Sequence, residues 1–342
     1  MAEYIVLTGE DTLTSRTLLH ESIPLTGAIV SGTYSDNNIK NYTHGQFQSV
    51  YDYPYLSSSA NHIFDLTVGI DDTSTLSSSA ATQNAKKINM YNEWGQVLNG
   101  FSSSGDSYVV NPFELDLSVD AAGRSLEGFF IPFSRLLVKD EIKKGSFSIT
   151  LGTGSWASPF GSTIVLQDSN ATDTSGFGTC QAGDYAVLIR SGSGGTALGL
   201  IYYQAGVAYI HSGAFDGVSD FYSGSWGNYS VAQALVSSSI SGSCDAMRHR
   251  MQNISFNNST EINSTIYFCR VPSNKYNYST NPTYVSGGSI VVKNKASDPA
   301  VSYITTVGLY DASNTLLAVA KLSEPLKKDA TNELTMRVRL DY

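Results

Sequence analysis

Cysteine is nearly missing from this chain: 342 residues hold only Cys180, Cys244 and Cys269. So sparse and odd a set argues against a disulfide framework. Zinc needs about four clustered Cys or His ligands, and these spacings offer none. The histidines His20, His44, His62, His211 and His249 are scattered, with no pair at helical ligand spacing. Charge is scarce too, at 15% of residues with a net −9. Nucleic acid is therefore not an expected partner, because phosphates need a basic face. No apolar run reaches about 18 residues, so no membrane-spanning helix is expected. Met1-Ala2-Glu3-Tyr4 lacks a basic region followed by an apolar stretch, so no secretory signal is expected. Without one, the Asn-x-Ser/Thr sequons read as by-products of a chain rich in those residues.

Recognisable reaction motifs are also lacking. Ser191-Gly192-Ser193-Gly194-Gly195 has neither the Lys-Ser/Thr nor the following helix of a phosphate-binding loop. Gly152-Thr153-Gly154-Ser155 falls short of a nucleophile elbow. Asp116, Ser118, Asp120 and Glu127 follow calcium-loop spacing, but Ala121 stands where that loop needs Gly, so the stretch reads as a solvated turn. No catalytic residue, metal ligand or cofactor site emerges.

Glycine, serine, threonine, asparagine and tyrosine are abundant instead, a profile that suits strands and turns. The expected fold is mainly β, with antiparallel β-sandwich or meander sheets and a few packed α-helices. Four segments are expected: an N-terminal arm or aromatic-rich loop region over 1–55, a β-rich segment with one amphipathic helix over 56–152, a Gly/Ser-rich β segment over 153–227, and a C-terminal β-domain over 228–342. Strands are expected at 63–70, 162–167, 185–190, 197–203 and 206–211. The helix follows Ser77–Ser79, which offer caps, and ends before Gly100. Its apolar face holds Ala81, Ala85, Ile88, Tyr91 and Leu98, with Lys86 and Lys87 largely off it. Shorter helices are expected at 231–236 and 245–251, with Gly242 interrupting or ending the first. Ile254–Asn257 and Thr265–Arg270 read as paired strands around a turn.

The closing segment alternates strictly. Leu334, Met336, Val338, Leu340 and Tyr342 share one face; Thr335, Arg337, Arg339 and Asp341 share the other. This predicts a half-buried strand whose apolar face meets a core and which pairs with a hairpin over 303–322. Aromatic loops supply the candidate contact residues: Tyr42, Tyr51, Tyr53 and Tyr55 near Pro54, then Tyr276, Tyr278 and Tyr284, then Tyr310 in the hairpin.

Several stretches resemble a structural protein family of contractile-tailed phages, including those of marine cyanobacteria. They include Ser58-Ser59-Ala60-Asn61-His62-Ile63-Phe64-Asp65, Thr82-Gln83-Asn84-Ala85-Lys86-Lys87-Ile88-Asn89 and Phe130-Ile131-Pro132-Phe133-Ser134-Arg135-Leu136. The likeness is densest from Phe256 to Arg270 and spans roughly residues 55–342. The Gly308-Leu309-Tyr310-Asp311 turn also resembles a hairpin of phage tail-fibre-collar proteins. Membership implies a component of the virion and carries over no catalytic residues; the preferred reading is a non-enzymatic protein of the tail or baseplate that assembles with other virion proteins and copies of itself. The alternatives are a neck or collar component, or a carbohydrate- or receptor-binding tail protein. In the last case Trp94, Trp156 and Trp226 would be candidates for stacking on sugars, with Trp94 expected to be buried in its helix.

Overall fold

A computed structural model describes residues 4–26, 36–104, 107–117, 123–192, 195–224, 227–279, 281–293, 295 and 297–342. Strand outweighs helix, 47% to 17%, so the fold is mainly β, with a large antiparallel sheet and four helices. Two compact units are present: a larger one over Leu19–Thr260, and a smaller one formed by Met1–Leu18 with Glu261–Tyr342.

The main path of the large sheet uses β1 (Thr12–Thr26), β2 (Ile39–Asn41), β3 (Gln48–Tyr51), β4 (His62–Ile70), β5 (Glu127–Pro132), β6 (Ser148–Gly152), β7 (Thr163–Gln167), β8 (Gly183–Arg190), β9 (Ala197–Tyr202), β10 (Val207–His211) and β11 (Met251–Val271). β1 and β11 supply residues to both units. The sheet order is β2-β3-β4-β5-β10-β9-β8-β7-β6-β11-β1. The helices are α1 (Asn84–Leu98), α2 (Arg135–Val138), α3 (Val231–Ser237) and α4 (Ile240–His249).

Period-two alternation sends the central strands into two cores. Phe129, Ile131, Ile201, Ala208 and Ile210 join one cluster with Ala234 and Leu235 of α3 and Cys244 and Met247 of α4. Phe130, Leu200, Tyr202, Val207 and Tyr209 join a second cluster with Tyr91 and Leu98 of α1. Helices on both faces explain why these strands are apolar nearly throughout. Phe133 contacts the rings of Phe64 on β4 and Phe256 on β11, at 6.3 and 5.1 Å. Those strands lie near opposite ends of the sheet order, so the sheet curls around its first core. Gly69 lets α1 lie close, since a Cβ there would sit 2.9 Å from Tyr91 Cα.

Four local expectations change. α1 begins at Asn84 because the Ser77 hydroxyl donates to the Ser74 and Asp72 carbonyls in turns instead of capping. Gln83, at a positive φ of 55°, accepts from the Ile240 amide and so caps α4. Lys87 is wholly buried and not off the packed face. Gly242 lies inside α4, where its amide donates to the Ser239 cap at 3.1 Å. The expected turn over 258–264 is absent: β11 is one strand of 21 residues. Asn258 is paired laterally there, donating to the Leu137 carbonyl at 2.8 Å and accepting from the Glu21 amide at 3.1 Å.

In the smaller unit, β12 (Val301–Tyr310) and β13 (Leu316–Asp329) form a separate two-stranded ribbon. The closing strand β14 (Leu334–Asp341) pairs with β11 from Ser264↔Asp341 to Val271↔Leu334, and not with the ribbon. Alternation predicted its pleat correctly but not its burial: Val338 is buried, Leu334, Met336 and Leu340 are half-buried, and Tyr342 is 70% exposed.

Candidate functional site

The smaller unit joins its pieces by polar contacts. Along β11, the Thr265 hydroxyl lies 3.4 Å from Thr14 of β1 and 3.1 Å from the Tyr342 hydroxyl. Arg270 pairs with Asp11 at 3.0 Å, and Arg16 pairs with Glu261. At the ribbon base Lys328 is fully buried and donates to the Ser273 carbonyl and to Asn277 Oδ1 at 2.6 Å. Ser302 donates to the Tyr276 carbonyl, and the Tyr284 hydroxyl donates to the Val301 carbonyl. Among the described residues, only Ile266, Val271 and Val338 are buried apolar side chains here.

The ribbon's register gives each face a character. Leu309↔Ala318 and Val307↔Ala320 are directly opposite, so these four share one face. A bulge sets Leu316 and Leu317 against Tyr310, so both point to the other face beside Val319. That placement agrees with Gly308, whose absent Cβ would meet the Tyr310 ring at 2.9 Å and Leu316 at 3.4 Å. Leu317 and Val319 stand 68% and 52% exposed. At the turn, the Asp311 carboxylate accepts from the Ser313 and Thr315 amides, and these bonds hold its pKa below the usual range. Tyr4 meets Tyr310 edge-on at 5.2 Å.

The expected tyrosines fall in separate places. Tyr310 is exposed on the ribbon; Tyr276 and Tyr278 are exposed on the loop after β11; Tyr284 is half-buried by its bond to Val301. In the larger unit, Tyr42, Tyr51, Tyr53 and Tyr55 lie in and beside the β2–β3 hairpin at one end of the sheet. Tyr42 stacks on His44 and packs against Phe47, Tyr51 packs on His62 and Tyr55, and of these four tyrosines only Tyr53 is exposed. Sequence reading missed Leu317 and Val319 as exposed groups. The adjacent Leu316-Leu317 pair, which breaks strict alternation, was the available signal.

The larger unit's titratable groups serve its own packing. Lys87 donates to the Leu235 carbonyl, and to that of Ser238 at 2.8 Å, closing the end of α3; burial lowers its pKa to about 8. Arg250, fully buried, donates to the carbonyls of Phe221, Gly152, Gly154 and Asp220. Asp168 accepts from Tyr203 and from the Gly145 and Phe147 amides, although burial raises its pKa. The Ser125 hydroxyl lies 2.7 Å from His211 Nδ1 and 2.6 Å from the Tyr209 hydroxyl, but Ser125 is wholly buried and out of reach of a substrate.

A cavity of about 130 Å³ is lined by Asn99, Asn111, Glu114, Cys180, Tyr185 and Tyr202. Its asparagines are already engaged, Asn99 with Pro112 and Tyr202 and Asn111 with Asn99. Burial raises the pKa of the Cys180 thiol, as it does for Cys244 and Cys269. Among the described residues no cluster of His, Cys, Asp or Glu has metal-binding geometry, and no helix is long and apolar enough to cross a membrane. Within the calcium-like spacing, Ser118 and Asp120 lie outside the described residues, and Glu127 accepts from Ser74 and Ser212.

Of the tryptophans, Trp94 is half-buried and stacks on Phe130. Trp156 is covered on one side by His249 at 4.0 Å. Trp226 lies outside the described residues. Compared with protein families, curated proteins and solved structures, the chain matches none.

Proposed function

We propose that this chain is a non-enzymatic structural component of a tailed-phage virion, in the tail or baseplate, that assembles through protein–protein contacts. The resemblance over residues 55–342 supplies the setting. One observation carries the assembly role: a ribbon of two long strands that presents Leu317 and Val319 to solvent on one face and carries half-buried Val307 and Leu309 on the other. A two-stranded ribbon is marginal alone in water and gains stability from a covering layer. The larger unit contributes a rigid body, its buried charges committed to internal carbonyls and amides.

Mass spectrometry of purified particles should find this chain as a stoichiometric component, and immunogold labelling should mark the tail or baseplate. Labelling at the neck would favour a neck or collar component. Absence from particles would overturn the reading. So would depolymerase activity of the purified protein on host polysaccharide, if an Asp or Glu substitution abolished it without unfolding the chain.

A further inference from the structure

We propose that Lys328 and Asn277 react to form an intramolecular isopeptide bond, from Nζ to Cγ, that ties the loop after β11 to the base of the β12–β13 ribbon. The crosslink goes beyond the assembly role, since it lies within one chain and needs no partner.

Three observations carry it. First, the reacting groups are already in contact: Lys328 Nζ lies 2.6 Å from Asn277 Oδ1. With a C=O bond of about 1.23 Å, Asn277 Cγ lies within about 3.8 Å of the same nitrogen. Attack on a carbonyl needs about 3–3.5 Å, which a small turn of the lysine stem supplies. Second, Lys328 is fully buried, yet the oxygens it meets are all neutral: the Ser273 carbonyl at 3.2 Å, the Asp329 carbonyl at 2.7 Å and Asn277 Oδ1. Among the described residues no carboxylate forms an ion pair with it, and the Asp329 carboxylate pairs with Lys327 instead. A buried charge is costly without a counter-charge, and amide formation removes it. Third, apolar packing does little to hold this loop: among the described residues neither apolar cluster contains side chains of the smaller unit. A link across 51 residues of sequence supplies by constraint what packing does not.

The step balances without an oxidant or cofactor. Lys328 Nζ gives up one proton to water, and its lone pair attacks Asn277 Cγ. The Nζ–Cγ bond forms and the Cγ–Nδ2 bond breaks. A second proton passes from Nζ to Nδ2, which leaves as ammonia and takes up the first proton in solution. Asn277 is only half-buried, so ammonia has an exit to solvent.

Intact-mass spectrometry of the full chain after denaturation tests this. The wild type should be lighter than its sequence by one ammonia, with or without Met1. Trypsin should yield one branched peptide that joins Asn277 to Lys328. Lys328→Arg keeps the charge but cannot form the amide, and Asn277→Ala removes the electrophile, so both should show their full sequence mass. Lys327→Ala, at the exposed neighbouring position, should keep the ammonia loss. A wild type at its full sequence mass would overturn the proposal, whether or not either variant folds. So would an ammonia loss that maps to another asparagine or survives in Lys328→Arg.

Discussion

Phe130 on β5 and Leu317 on β13 are both large apolar side chains in antiparallel strands, yet one is wholly buried and the other 68% exposed. The larger unit covers its central strands on both faces, with α1 on one and α3 and α4 on the other. The smaller unit repeats the same alternation, but among the described residues neither apolar cluster includes its side chains. Strand formation and burial are therefore separate events: backbone pairing satisfies amides and carbonyls, whereas burial needs a second layer. The larger unit should lose stability wherever its interior is touched, and the smaller should tolerate most single changes as an isolated chain.

The widest gap is expected at Arg250→Ala. Removing that guanidinium leaves the Phe221, Gly152, Gly154 and Asp220 carbonyls without their donor in a fully buried place. A loss of about 3–5 kcal/mol is expected from chemical denaturation. A loss below about 1 kcal/mol would show that water replaces the guanidinium there.

Lys87 should give the larger unit a pH dependence. Its folded pKa is lowered to about 8 from an ordinary 10.5, so the unfolded chain binds more protons between those values. Stability then rises with pH across that window, and the folded state carries the full burial cost of the charge below it. Lys87→Met removes this titration, so the stability of wild type relative to the variant should increase from pH 8 to pH 10. Parallel curves would mean that the ammonium is solvated in the folded protein.

In the smaller unit Val338→Ala should cost only about 1–2 kcal/mol, read as faster amide exchange along Ser264–Val271. Tyr278→Ser, on an exposed loop, should stay within about 0.5 kcal/mol in the isolated chain. A large effect of Tyr278→Ser on the isolated chain would place that ring in a core and erase the contrast between the units.

Most elements of the larger unit were legible, because β-branched and aromatic runs bounded by glycine and serine form strands wherever a layer covers them. Lys87 was not legible. A lysine reads as solvent-facing, and its acceptors, Leu235 and Ser238, lie about 150 residues away in sequence. The Asn258–Ser264 stretch read as a turn because asparagine favours turns. It is strand because Asn258 finds the Leu137 carbonyl and the Glu21 amide beside it. Of the candidate contact residues, the hairpin and its Tyr310 were visible as a pattern, but the exposure of Leu317 and Val319 was not.

The sequence by itself determined that the chain is mainly β, where the central strands fall, and that residues 334–342 alternate, since backbone preference and side-chain period act locally. Only the tertiary structure decided that β14 pairs with β11, that Lys87 turns inward, and that Leu317 and Val319 of the β12–β13 ribbon stand exposed. A strand's pattern states which side chains share a face. What covers that face depends on which distant segment the chain brings opposite it.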